Sequence, residues 1–148
     1  MPKVKRPDGF HTITPGFMVP QAAKVLEFLR TAFGAELVDH YDGPDGSIAH
    51  AEVRLGDSVV MFGEPMPGFD PMPATLSYYV DDAAAVDATY RRAIDAGATS
   101  EREPEDQFYG WRSATVRDPG GNRWTIGTVV EDLTREQILE RMKKMGMA

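Results

Sequence analysis

The chain contains no cysteine, which removes disulfide bonds, thiolate zinc sites and thiol nucleophiles together. Any metal ion would have to be bound by nitrogen and oxygen, and only three histidines are present, His11, His40 and His50. No apolar run approaches the roughly 18 residues needed to span a bilayer, and the opening MPKVKRPDGF lacks the apolar core of a secretory signal. Positive charge is in deficit, with 16 Lys and Arg against 23 Asp and Glu and a formal net charge of −7. A surface of that sign repels phosphate backbones, so counterion release cannot drive nucleic-acid binding. A soluble, cytoplasmic chain with neither a membrane nor a nucleic-acid partner is expected. The 148 residues, 42% hydrophobic and 26% charged, suffice for one globular domain with its own core.

Within that domain the sequence repeats itself. In 13-ITPGFMVPQAAKVLEFLRTAFGAELV-38 a short strand-like run gives way to a helical pattern. Ala22, Val25, Leu26, Leu29, Ala32 and Phe33 follow at spacings of three and four, and Gly34 stops the helix. The same order recurs in 74-ATLSYYVDDAAAVDATYRRAIDAGATS-100, where Leu76 to Val80 precede a helix bearing Val86, Tyr90, Ala93 and Ile94, closed by Gly97. Paired strands follow in each half, HAEVRLGDSVVMF at 50–62 and SATVRDPGGNRWTI at 113–126, with AEVR lying over ATVR. Alternation replaces the helical period there, and Gly56-Asp57 and Gly120-Gly121-Asn122 are residue types that tolerate positive φ in hairpin turns. Each half therefore reads strand, helix, three strands, the first of the three in the second half falling around Ala98 to Glu103. Repeat one covers about residues 11–63 and repeat two about 74–130.

The connector GEPMPGFDPMPA, residues 63–74, holds four prolines, which neither continue a ladder nor sit inside a helix. Near the C-terminus Thr134 and Gln137 form a capping box. They open a helix over about 134–146 that carries Ile138, Leu139, Met142 and Met145. That apolar stripe calls for a cover, either the chain's own sheet or a partner subunit.

Two βαβββ halves, together with FGAEL, HAEVRLGDSVVM, YYVDDAAAV and GWRSATVRDPGGNRWTI, resemble the vicinal oxygen chelate superfamily of glyoxalases, bleomycin-resistance proteins and extradiol dioxygenases, and within it a PhnB-like branch. The resemblance implies an α+β fold in which the two βαβββ repeats form a cupped mixed sheet around a small-molecule cleft, with the C-terminal helix appended. It also implies a homodimer. In metal-dependent members the first and last strands of each half present ligands to a divalent ion, which acts as a Lewis acid on substrate oxygens.

Carried onto this chain, those ligand positions fall on Thr14 and Thr75, each five residues before the valine that closes its strand, and on Met61 and Thr125. Three hydroxyls and a thioether do not make a site for zinc, iron, nickel or magnesium, which take imidazole or carboxylate donors. No metal site and no cofactor are therefore expected. The competing reading rests on His50 and Glu52, which share a strand face by period-2 alternation, opposite Ala51, Val53 and Leu55. They are the candidate catalytic residues, as a relocated ligand pair or as an acid/base pair.

The same alternation groups Thr14, Gly16 and Met18 on one strand, Thr75, Ser77 and Tyr79 on another, and Arg123 with Thr125 on a third. The resemblance places these faces, with Met61, in the cleft. Trp111 and Arg112, from the loop QFYGWR at 107–112, add stacking and cation–π contacts at its mouth. Three functions stay open at this point. A metal-free protein holds a small organic ligand through neutral polar contacts and stacking. Alternatively, a lyase, isomerase or dioxygenase works with unusual ligands including His50 and Glu52. The third possibility is an interaction protein that uses the C-terminal helix and the connector.

Overall fold

A computed structural model describes residues 5–148; the start of the N-terminal stretch in which no signal was found lies outside the described residues. The elements are β1 (Gly16–Met18), α1 (Ala22–Phe33), β2 (Glu36–Asp42), β3 (Ile48–Leu55), β4 (Ser58–Gly63), β5 (Thr75–Tyr79), α2 (Ala83–Asp95), β6 (Thr99–Asp106), β7 (Trp111–Arg117), β8 (Arg123–Val129) and α3 (Arg135–Lys144). The order strand, helix, three strands occurs twice and a helix follows, as the repeat predicts. Each half builds a four-stranded mixed sheet, β1-β4-β3-β2 and β5-β8-β7-β6, in which only the first strand runs parallel to its neighbour. No described helix is long and apolar enough to cross a membrane.

The chain divides into two compact units, one running to Ala74 and including Asp118–Asn122, the other comprising Thr75–Arg117 and Arg123–Ala148. In the first, α1 buries Ala22, Val25, Phe28, Leu29, Ala32 and Phe33. Ala51, Val53 and Leu55 of β3, with Phe17 and Phe62 stacked at 5.2 Å, are buried as well. Phe28 replaces Leu26 on the buried stripe, Leu26 being only half-buried. Gly34 caps the helix in the left-handed region, as expected. The start of α1 is less regular. Gln21 has φ 59° and offers no side-chain cap, and the Ala22 N–H donates instead to Glu64 Oε1 at 3.2 Å.

The connector is not a free spacer. Met72 pairs with Met18 through two backbone hydrogen bonds of 2.7 and 3.2 Å, so its end extends the β1 edge of the first sheet. In the second unit, α2 buries Val86, Thr89 and Ala93 and starts at Asp82, whose carboxylate accepts from the Ala85 N–H at 2.8 Å. The sixth strand runs on to Asp106, well beyond the Ala98–Glu103 expected, with two register shifts along it.

Helix α3 opens with the predicted capping box, Thr134 and Gln137 bonded reciprocally. None of its residues is buried, and Ile138, Leu139 and Met142 are half-covered. It is held by Arg141, which donates to the Phe108 carbonyl at 3.0 Å and grips both oxygens of Glu131 at 2.8 and 3.0 Å. That grip holds the Glu131 carboxyl below its ordinary range.

The turn between β7 and β8 is a buried polar knot. Asp118 is 4% exposed, and its carboxylate accepts from the Gly120 N–H at 2.9 Å, the Asn122 N–H at 3.0 Å and the Asn122 amide nitrogen at 2.8 Å. Asn122, fully buried, accepts in turn from the Ala74 N–H at 2.8 Å. The two glycines serve different ends. Gly121 has φ 96°, whereas Gly120 supplies room, since a Cβ there would stand 2.7 Å from Val25 and 2.8 Å from Val19. Buried donors left without an acceptor cost about 1–3 kcal/mol each. Asp118→Ala strands three, and partial relaxation leaves an expected loss of about 2–4 kcal/mol in urea unfolding, with m unchanged; a loss under about 1 kcal/mol would show the knot to be incidental.

Candidate functional site

Each sheet gives one face to its helix, so the residues of opposite parity form an open face. On the first sheet Gly16 lies beside Met61, Met61 beside Glu52 and Glu52 beside Asp39, while His50 pairs with Tyr41 one step along. His50 and Glu52 converge as expected, with Nε2 3.0 Å from Oε1. The Tyr41 hydroxyl donates to Asp39 Oδ2 at 2.8 Å, and its ring centroid lies 6.3 Å from that of His50. The Asp39 hydrogen bond and charge raise the Tyr41 pKa above its ordinary value. Next to this polar end is a pocket of about 320 Å³ lined by Met18, Met61 and Met72, with Gly16, Phe17, His50 and Phe62 completing it. Unbranched thioethers adapt to irregular ligands and make favourable contacts with aromatic rings.

The metal positions carried over from the family pattern do not form a donor set. Thr14 lies outside the first strand, which starts only at Gly16, and its hydroxyl donates to the His11 carbonyl at 3.2 Å. Met61 offers a thioether. Thr75 pairs with Arg123 and is not beside Thr125, whose partner is Ser77. Among the described residues no three His, Cys, Asp or Glu side chains gather as a metal site would require. His40 stands 3.7 Å from Asp42 on the exposed edge strand, and His11 is exposed. Hard divalent ions need several carboxylate or imidazole donors; the four positions supply none.

On the second sheet the row is Ser77, Thr125, Thr115 and Arg102, with Ser113 and Trp111 further along β7. Thr125 and Thr115 hydroxyls are 3.4 Å apart. Arg102 Nη2 donates to Ser113 at 3.0 Å and to Thr115 at 3.3 Å. Tyr79 and Tyr109 both meet the Trp111 ring edge to face, at 5.3 and 5.6 Å. Thr75, Ser77, Tyr79, Trp111 and Thr125 thus share one face. Arg123 is on it too, its guanidinium bound side-on to Glu101 at 2.8 and 3.2 Å.

Arg112 does not belong with them. Its neighbour Trp111 takes the open face, so Arg112 points to the helix side, where it binds Asp87 at 2.9 and 3.2 Å and Asp106 at 3.1 Å. It lines, with Asp87, Tyr90 and Glu103, a hollow of about 350 Å³ on that side. A larger hollow of about 520 Å³ lies between the β2–β3 turn and the connector. Its carboxylates are already engaged, Asp45 with Ser47 and Glu64 with α1. Arg102, Asp39 and Tyr41 are the residues that sequence reasoning missed. Register shifts beside Asp39 on β2 and beside Arg102 on β6 hide their parity from a simple alternation count.

A family model described as the Glyoxalase/Bleomycin resistance protein/Dioxygenase superfamily matches residues 9–126. An uncharacterized protein of Mycobacterium bovis is 32% identical over 145 residues, covering 90% of this chain and 93% of that protein. The crystal structure of TioX from a Micromonospora species superposes with a TM-score of 0.62 at 22% identity, over 84% of this chain and 100% of that one. A glyoxalase/bleomycin resistance protein/dioxygenase family enzyme from Burkholderia phytofirmans superposes with a TM-score of 0.63 at 23% identity, over 77% and 94% of the two chains. At those identities the two structures share a fold with this chain and nothing finer.

The Tyr41–Asp39 pair is directly testable. Its raised pKa means that the hydrogen bond stabilises the fold fully below the ordinary tyrosine pKa of about 10 and is lost as the pH rises through the folded value. Titration of labelled tyrosine by NMR should show Tyr41 ionising above that range in the native chain and falling back in Asp39→Asn. Identical midpoints in the two proteins would refute the pairing.

Proposed function

This chain belongs to the glyoxalase/bleomycin resistance protein/dioxygenase superfamily, and on that premise we propose that it binds a small organic molecule without a resident metal ion. The observation that carries the reading is the Met18, Met61 and Met72 pocket, about 320 Å³, at the position where metal-dependent relatives would present a ligand from the fourth strand. Its volume is at the lower end of the roughly 300–1,000 Å³ usual for small-molecule sites. Thioether walls favour an aromatic or extended apolar guest, and His50 with Glu52 gives such a guest one polar anchor. The hydroxyls of Ser77, Thr115 and Thr125 support the same reading on the second sheet, since they can orient oxygen-bearing groups but bind cations poorly.

A second reading has one observation in its favour, the 3.0 Å contact between His50 and Glu52. A carboxylate that accepts from Nε2–H leaves Nδ1 free as a base, the arrangement of an acid/base pair. Metal analysis of protein purified without added ions, together with thermal shifts over divalent cations, separates the two. The binding reading expects no stoichiometric metal and no cation-dependent rise in midpoint. It also expects a small organic compound that co-purifies in native mass spectrometry and is lost in Met61→Trp, which fills the pocket. One ion per chain, abolished by His50→Ala, would replace it with the enzymatic reading.

The ligand-binding form is further proposed to be a homodimer, with α3 as part of the contact. The support is the half-covered stripe of Ile138, Leu139 and Met142 and the 57% exposure of Met145. Light scattering of the chain ended before Thr134 should give half the mass of the whole chain. An unchanged mass and an intact fold would remove α3 from the contact.

A further inference from the structure

Arg102 is half-buried on the open face of the second sheet, and its Nε is buried with no hydrogen-bond partner among the described residues. Among the described residues its hydrogen-bond partners are the neutral hydroxyls of Ser113 and Thr115, both reached through Nη2. Two other arginines of this chain show what such a fork takes when it is filled. Arg112 holds Asp87 through Nε at 2.9 Å and Nη2 at 3.2 Å, and Arg123 holds Glu101 through Nε at 2.8 Å and Nη2 at 3.2 Å. Among the described residues no carboxylate comes within ion-pair distance of Arg102. Glu101 is shared by Arg117 and Arg123, and Glu105, which faces Ser113 across the ladder, engages Gln107 instead.

A charge that is partly desolvated and met only by hydroxyl dipoles is an unsatisfied cation, and a planar guanidinium is matched best by a planar oxyanion bound through Nε and Nη2. We propose that Arg102 anchors an anion site on the second sheet, and that the site takes the carboxylate of a small aromatic acid. The guanidinium reseats from its hydroxyl partners onto the two carboxylate oxygens, Ser113 and Thr115 turn their hydroxyls to the same oxygens as donors, and the ring lies toward Trp111, whose indole already meets Tyr79 edge to face. The site goes beyond the neutral pocket of the first sheet and does not depend on it.

Benzoate and its neutral isostere benzamide are the probes, titrated calorimetrically into the full chain. Benzoate should bind saturably, weaken with added salt and bind at least tenfold more tightly than benzamide; Arg102→Met should weaken benzoate at least tenfold. Arg102→Lys keeps the charge without the planar fork and should fall between. Equal binding of the two probes, no saturable benzoate binding, or a folded Arg102→Met that binds benzoate like the unaltered chain would each overturn the proposal. Should Arg102→Met not fold, the benzoate–benzamide difference in the unaltered chain decides. A change in oligomeric mass in Arg102→Met with benzoate binding intact would give the guanidinium to a carboxylate of a second copy, also against the proposal. A chain that binds no neutral compound yet binds benzoate would refute the pocket reading and leave this one standing.

Discussion

A four-stranded sheet that gives one face to a helix has a single face left for chemistry, and a residue's parity along its strand decides which face it joins. Everything else in this protein depends on that constraint. His50 and Glu52 are available to a ligand because Ala51, Val53 and Leu55 between and beyond them are committed to the core under α1. Ser77, Thr125 and Thr115 align in one row because the parallel β5–β8 and antiparallel β7–β8 registers bring them side by side. A slip of one residue would exchange the two faces entirely, so the elements that hold register also hold the site. The Asp118–Asn122 knot is the most consequential of these, because its carboxylate gathers three donors into one turn geometry.

What could be read from the chain follows the same division between local and distant causes. The repeat, the two helix stops at Gly34 and Gly97, the capping box at Thr134 and the shared face of His50 and Glu52 are written in spacings of two to four residues. They emerged because no remote contact is needed to produce them. The contacts that close the structure are remote. Asn122 meets Ala74 across 48 positions, and Glu64 caps α1 across 42. Neither leaves a local pattern. Arg112 was misplaced for a simpler reason: grouping it with Trp111 as one aromatic-basic loop ignored that consecutive strand residues point to opposite faces. Arg102 was hidden by the two register shifts in β6, which break the parity count just where it would have placed the side chain beside Thr115.

The two sheets also show how duplication permits divergence at fixed geometry. Glu52 corresponds to Thr115, His50 to Ser113, Met61 to Thr125 and Asp39 to Arg102, each pair holding the same place in its ladder. The backbone row is conserved between the halves while its chemistry is exchanged, from carboxylates, imidazole and thioether to hydroxyls and a guanidinium. Here the matching places carry unlike groups.

Burial explains why that exchange is sustainable. Ser113 is fully buried and Thr115 nearly so, and a carboxylate at either place would carry a large desolvation penalty unless a cation met it. Hydroxyls avoid the penalty and can serve as donor or acceptor, so they adjust to whatever lies beside them. With Arg102 next to them they act as acceptors. On the first sheet His50 and Glu52 are only partly exposed, at 39% and 21% of their side chains, and each meets the other's opposite polarity rather than an apolar wall. The charged groups of both faces, Glu52, Asp39 and Arg123, are each met by a neighbouring side chain.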